Sequence, residues 1–204
     1  MIPRPRTAVF WLLIAIVPVP GDALGQGPIE PGEPLPTLGP ALRQVDGTTV
    51  SPRGLGGEEG TVFLFWSNRC PWVDRYEDRV QSLAAAFAGQ GIRVVRVNAN
   101  DATEYPAESL EESRAESGAD APLPYVRDPK ARLARALGAT RTPHAFVFDD
   151  DWVLRYAGAI DDSPSLPAQV EDFFLRDAVQ ALVSGDEVST APKPPFGCTL
   201  KLPE

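Results

Sequence analysis

The chain has 204 residues, with 19 Lys and Arg against 28 Asp and Glu, a formal net charge of -9, and 43% hydrophobic residues. That length fits one domain with extensions, and the composition is that of an ordinary globular protein. The acidic balance and the lack of a basic stripe exclude nucleic acid as a partner class.

Residues 1–25 read as an export signal. Arg4 and Arg6 form a short basic segment, Val9 to Val19 is an apolar run interrupted by Pro18, and Ala23-Leu24-Gly25 offers small residues for cleavage. The run is shorter than the roughly 20 residues of a bilayer span. The expectation is an exported protein, periplasmic or secreted, with no stable membrane span once the signal is removed. An uncleaved N-terminal anchor is the alternative. Outside the cytosol disulfides persist, and Cys70 and Cys198 allow one bridge.

Residues 26–40 are rich in Pro and Gly and are expected to be an extended linker. Residues 41–184 then carry the periodic segments of a single domain. Ala41–Val45 and Thr48–Val50, around Asp46-Gly47, predict a short hairpin. Thr61–Trp66 is apolar at nearly every position and predicts a strand buried on both faces. From Pro71 the period changes. Val73, Tyr76, Val80, Leu83, Ala84 and Phe87 share one helical face. Pro71 suits the first turn, and Gly89 and Gly91 end the helix.

Ile92–Val97 predicts the next strand, and Asn98–Pro106 a polar loop. Glu108–Ser117 reads as a helix with an acidic first turn, and Leu123–Val126 as a short extended segment. Pro129–Leu137 reads as a helix stopped by Gly138. His144–Phe148 predicts a strand, Asp149-Asp150-Asp151 a turn, and Trp152–Tyr156 the returning strand. A long helix is expected within Pro164–Val183. Residues 185–204 form an irregular tail, with a strand expected at Cys198–Leu202. The order predicts an α/β fold, a layered sheet ending in an antiparallel hairpin.

Cys70 stands where an apolar strand hands over to a helix. A helix N-terminus carries partial positive charge and free N–H donors, which favour the reactive thiolate. The approach Phe65-Trp66, then Cys70-Pro71, and later Thr142-Pro143 before a strand resembles the thioredoxin fold over about residues 36–184. More narrowly, four segments resemble a bacterial redoxin-domain subfamily grouped with the peroxiredoxins and alkyl hydroperoxide reductases. They are Asn68-Arg69-Cys70-Pro71-Trp72-Val73, Asn98-Ala99-Asn100-Asp101-Ala102, Ile160-Asp161-Asp162 and Gly197-Cys198-Thr199-Leu200-Lys201. The resemblance implies a central mixed sheet flanked by helices, and a cis bond at Pro143. It also implies a substrate surface at Thr142, Pro143 and Trp72.

Two departures stand out. A Cys-x-x-Cys dithiol would need a cysteine where Val73 stands. A peroxidase motif Pro-x-x-x-Thr/Ser-x-x-Cys finds its hydroxyl in Ser67 but has Phe63 in place of proline. Ser67 could donate to a peroxide or thiolate, and Arg141 or Arg69 could supply positive charge; otherwise both arginines are solvated surface charges. Cys198 could resolve an oxidised Cys70, or the two could form a static bridge.

The functional expectation is a thiol-based oxidoreductase acting through Cys70, by peroxide reduction or thiol–disulfide exchange. Its partners would be a peroxide or a protein or small-molecule disulfide, with an external thiol as reductant. The alternative is a non-catalytic binding module with a structural Cys70–Cys198 disulfide. No cofactor is implied. His144 is the lone histidine, no spacing fits zinc, and neither Asp149-Asp150-Asp151 nor Asp161-Asp162 has the ligand spacing of a calcium loop, so no metal is expected. Asn98, Asn100 and Asp101 read as turn residues that could also shape a pocket rim.

Overall fold

The computed structural model describes residues 28–39, 41–117, 123–189, 191 and 193–204. The expected export signal at residues 1–25 lies outside the described residues. The elements, in chain order, begin with a hairpin of β1 (Leu42–Gln44) and β2 (Thr49–Val50), followed by β3 (Gly60–Phe65) and α1 (Pro71–Ala88). Then come β4 (Ile92–Asn98), α2 (Leu110–Ser117), β5 (Tyr125–Arg127) and α3 (Arg132–Leu137). The last are β6 (Arg141–Thr142), β7 (His144–Asp149), β8 (Leu154–Gly158), α4 (Phe174–Ser184) and β9 (Cys198–Thr199).

Seven strands form one mixed sheet in the order β2-β1-β5-β4-β3-β7-β8. All six residues of β3 are buried, as its unbroken apolar run requires. It pairs in parallel with β4 and antiparallel with β7. Val62 and Leu64 face α1 and α4, against Val73, Tyr76, Val80, Leu175 and Val179. Phe63 and Phe65 face the opposite layer, where Leu133 and Leu137 of α3 join Phe146, Phe148 and Leu154. Fully burying such side chains contributes roughly 1.5–3 kcal/mol each. The register Phe65↔His144 sets the end of β3 beside the start of β7. That alignment brings the segment after β3, which carries Cys70, next to Thr142-Pro143.

The helical face expected on α1 is the one observed; its buried residues are Val73, Tyr76, Val80, Leu83, Ala84 and Phe87. The long helix expected within Pro164–Val183 is not continuous. Residues Pro167–Gln169 make a single 3-10 turn, and α4 starts only at Phe174. The cause is local. Pro164 and Pro167 lack N–H groups. Arg79 of α1 also takes up the carbonyls that an earlier helix would use, donating to Ser163 O at 3.1 Å and Pro164 O at 3.0 Å. The helix expected from Glu108 starts instead at Leu110, because Pro106–Glu108 forms its own 3-10 turn and aims Glu108 inward.

Residues 28–39, expected as part of an extended linker, turn at Pro31-Gly32 and pack on the domain. Ile29 and Leu35 are buried; the Ile29 amide donates to Ala136 O, and the Leu35 amide to Trp152 O. Among the described residues, no helix is long and apolar enough to cross a membrane.

Candidate active site

Cys70 is the N-cap of α1, and Pro71 occupies the first helical position. The apolar run of β3 and Trp66 delivers the chain to the C-terminal end of the parallel strands. The Trp66 amide is still bonded to Val97 O at 2.8 Å. The chain then breaks at Ser67-Asn68-Arg69, and proline starts the helix. Cys70 is 1% exposed and disulfide-bonded to Cys198, with a Cα–Cα distance of 6.0 Å across a sequence separation of 128. Its Sγ lies 3.2 Å from the carbonyl oxygen of Thr142, and the Thr142-Pro143 peptide is cis.

The tail that carries Cys198 is anchored on both sides. β9 pairs antiparallel with β6 in the register Thr142↔Cys198 and Arg141↔Thr199. Leu200 is buried, and its amide donates to Thr140 O at 3.0 Å. The Lys201 amide donates to Asn100 Oδ1 at 2.8 Å, and the Asp101 amide donates to Lys201 O at 2.7 Å. Upstream, Phe196 meets the Trp72 ring edge to face at 4.6 Å. Cys198 stays partly exposed. A cavity of about 350 Å³ opens beside the two sulfurs, with Ser67, Cys70, Asn100, Glu108, Cys198 and Lys201 among its walls.

The structure brings Cys70, Ser67, Arg69, Thr142 and Cys198 to the walls of this cavity; Pro143 follows Thr142 across a cis bond, and Trp72 packs on Phe196 of the tail. Ser67 Oγ donates to Glu108 Oε1 at 2.6 Å and accepts from the Arg69 amide at 3.2 Å. Both arginines have partners other than the sulfur. Arg69 pairs with Glu112 at 3.3 Å on the surface, and Arg141 donates to Thr199 Oγ1 at 2.7 Å, fastening the tail. Trp72 holds Phe196 and has Arg75 over its ring at 5.3 Å. His144 is buried, and its Nδ1 accepts from the Thr140 amide at 3.4 Å. Burial pushes it down to about 4, so it is neutral near pH 7. Among the described residues, no group of three or more His, Cys, Asp or Glu could hold a metal ion.

Sequence reasoning missed Glu108. The residue is 6% exposed, and its carboxylate accepts from Ser67 Oγ, from the Asn68 amide at 2.9 Å and from Asn98 Nδ2 at 2.7 Å. Arg127 completes the network, donating to Asn98 Oδ1 and to Asn100 O, each at 2.6 Å. Desolvation holds the Arg127 guanidinium below its ordinary value. The network fixes the segment before Cys70 and also presents Asn100 to the tail. The one available signal was the polar cluster Asn98-Ala99-Asn100-Asp101 directly after a buried strand.

Residues 31–157 match the AhpC/TSA family. The chain belongs to the AhpC/TSA family. Two solved structures are similar along almost their whole length. A hypothetical protein from Sinorhizobium meliloti 1021 is 33% identical with a TM-score of 0.75, covering 86% of this chain and 96% of that one. An uncharacterized conserved protein from Geobacillus kaustophilus is 32% identical with a TM-score of 0.77, covering 88% and 98%. A peroxidoxin from Mycobacterium tuberculosis, 16% identical with a TM-score of 0.52 and covering 63% and 84%, shares the fold alone. No curated protein matches the sequence. The fold of this AhpC/TSA member is thioredoxin-like, as the resemblance implied.

Proposed function

We propose that this chain is an exported thiol–disulfide oxidoreductase that cycles between a Cys70–Cys198 disulfide and the corresponding dithiol. The observation that carries the reading is the meeting of the tail cysteine with a cysteine at the start of α1, beside Thr142-Pro143 and under an open cavity. Export rests on the basic and apolar segments of residues 1–25, and an oxidising compartment would keep the pair joined.

Both cysteines line the cavity, with Cys70 at the start of α1 and Cys198 in the partly exposed tail. An external thiolate entering there attacks Cys70 Sγ, a new S–S bond forms, and the Cys70–Cys198 bond breaks. Cys198 leaves with the electron pair and is protonated. A second external thiolate then attacks the outer sulfur of the mixed disulfide, and Cys70 leaves as a thiolate, which the positive end of α1 favours. The sum is two external thiols and one protein disulfide converted to one external disulfide and one protein dithiol. The forward direction thus oxidises a thiol substrate, and the reverse sequence reduces an external disulfide and restores the protein disulfide.

Exchange is favoured over peroxide reduction by the partners of three groups. A peroxidatic cysteine needs a donor for the leaving oxygen. In the disulfide form Ser67 donates to Glu108, Arg69 meets Glu112, and Arg141 holds Thr199. The test is to incubate the oxidised protein with millimolar reduced glutathione and then with oxidised glutathione, following the dithiol by alkylation and mass spectrometry. Hydrogen peroxide is added to the dithiol in parallel. The reading expects opening and closing within minutes and a slower response to peroxide. A native disulfide that stays closed in reduced glutathione but opens on unfolding would overturn it, and would leave a fixed bridge in a binding module.

A further inference from the structure

The residue before Cys198 makes the closest backbone approach to the site. Gly197 has φ +151°, a conformation L side chains rarely adopt. A Cβ built on it would lie 2.0 Å from Thr142 O, 2.7 Å from Thr142 C and 3.2 Å from Pro143 Cδ. The blocking atoms are backbone and proline ring, held in place by the pairing of β6 with β9 and by the start of β7. They cannot swing aside as the end of a long side chain would.

The tail cannot slide past the obstruction either. Three residues after Cys198 it is fixed by the bonds of Lys201 to Asn100 and Asp101, and Leu200 is buried between these points. To relieve a 2.0 Å contact the chain at position 197 would have to lift by about 1 Å. The Cα atoms of Cys70 and Cys198 are already 6.0 Å apart. Beyond about 7 Å a disulfide no longer forms without backbone movement.

We infer that Gly197 is the positioning residue of the redox pair: only a residue without a side chain lets the tail cross the Thr142-Pro143 peptide closely enough for Cys198 to reach Cys70. Its use in a catalytic cycle rests on the proposed cycling of the two cysteines. The geometric requirement concerns closure of the bond alone.

The test compares the full chain with Gly197→Ala, using Gly39→Ala as control, since position 39 has open space around an added Cβ and no positive φ. Each reduced protein is mixed with oxidised glutathione. Cys70 thiolate attacks one glutathione sulfur, a Cys70–glutathione mixed disulfide forms and one glutathione thiolate leaves. Cys198 thiolate then attacks Cys70 Sγ and expels the second glutathione. In the wild type and in Gly39→Ala the mixed disulfide should pass rapidly to the internal bond. In Gly197→Ala it should accumulate, with closure and the effective concentration of Cys198 lowered at least tenfold.

A smaller fall overturns the inference. So does a reduced Gly197→Ala protein that melts more than about 5 °C below reduced wild type, because the methyl group would then be acting on the fold at large. Closure is approached from the reduced side. A wild-type disulfide that forms readily but resists opening therefore sinks the cycling proposal and leaves this comparison standing.

Discussion

The sulfur of Cys70 faces the carbonyl oxygen of Thr142 at 3.2 Å. In the disulfide no proton lies between them. Once the bridge opens, that oxygen is the acceptor for Cys70 whenever it carries its proton. Serine in place of Cys70 supplies an O–H to the same acceptor, so Cys70→Ser should fold with a melting temperature within about 2 °C of Cys198→Ser, which loses the same bridge. Cys70→Ala leaves the buried carbonyl without that donor and should be less stable than Cys70→Ser by about 1 kcal/mol. Exchange with glutathione at position 70 should vanish in both. Residual turnover above a thousandth of wild type in Cys70→Ser would count against a central role for this sulfur.

Cys198→Ser should separate the two half-reactions. Cys70 remains, so its first oxidation by a small disulfide should continue within a few-fold of wild type, while recycling slows by at least tenfold and the mixed disulfide persists in mass spectra. Closing a loop of 128 residues contributes up to about 5 kcal/mol in the chain-entropy model. Chemical denaturation of Cys198→Ser should show a loss within that limit. Equal slowing of both half-reactions would contradict the division of labour.

Glu108 is the third target. Its carboxylate receives Ser67 Oγ, the Asn68 amide and Asn98 Nδ2 in a buried setting. Glu108→Ala strands those donors, each worth roughly 1–3 kcal/mol when left buried and unpaired. The loss of stability by denaturant titration should exceed about 2 kcal/mol. Glu108→Gln keeps one acceptor oxygen and turns an NH₂ toward the remaining donors, so its loss should be intermediate. A neutral Glu108→Ala would mean that water replaces the carboxylate without cost.

Much of the scaffold was legible because its signals are local. The six buried positions of α1 follow directly from helical spacing, and the buried β3 from its unbroken apolar run. Pro71 marked the helix start and Cys70 with it. What stayed hidden depends on contacts between distant segments. Glu108 looked like an acidic first-turn residue, since nothing nearby shows that it points toward Asn98 and Ser67. Arg141 sits beside Thr142-Pro143 in sequence, yet its guanidinium reaches Thr199 in the tail. The false start of the last helix near Pro164 arose because Arg79, 85 residues away, collects the carbonyls there.

His144 supplies a pH signature separate from the cysteines. It is buried, and desolvation pushes it down to about 4, against about 6.5 in an unfolded chain. Between those values the unfolded chain binds a proton that the folded chain refuses. Stability therefore rises with pH across this window. The contribution of neutral His144 is fully present above about pH 6.5 and is lost as pH falls toward 4. Between pH 7.5 and pH 5 the loss should be about 2 kcal/mol. Denaturant titrations of wild type and His144→Gln at the two pH values isolate the effect, because carboxylates common to both proteins cancel in the difference. The wild type should lose about 2 kcal/mol more than the variant on acidification. An equal pH response would show that the imidazole takes up its proton inside the folded protein.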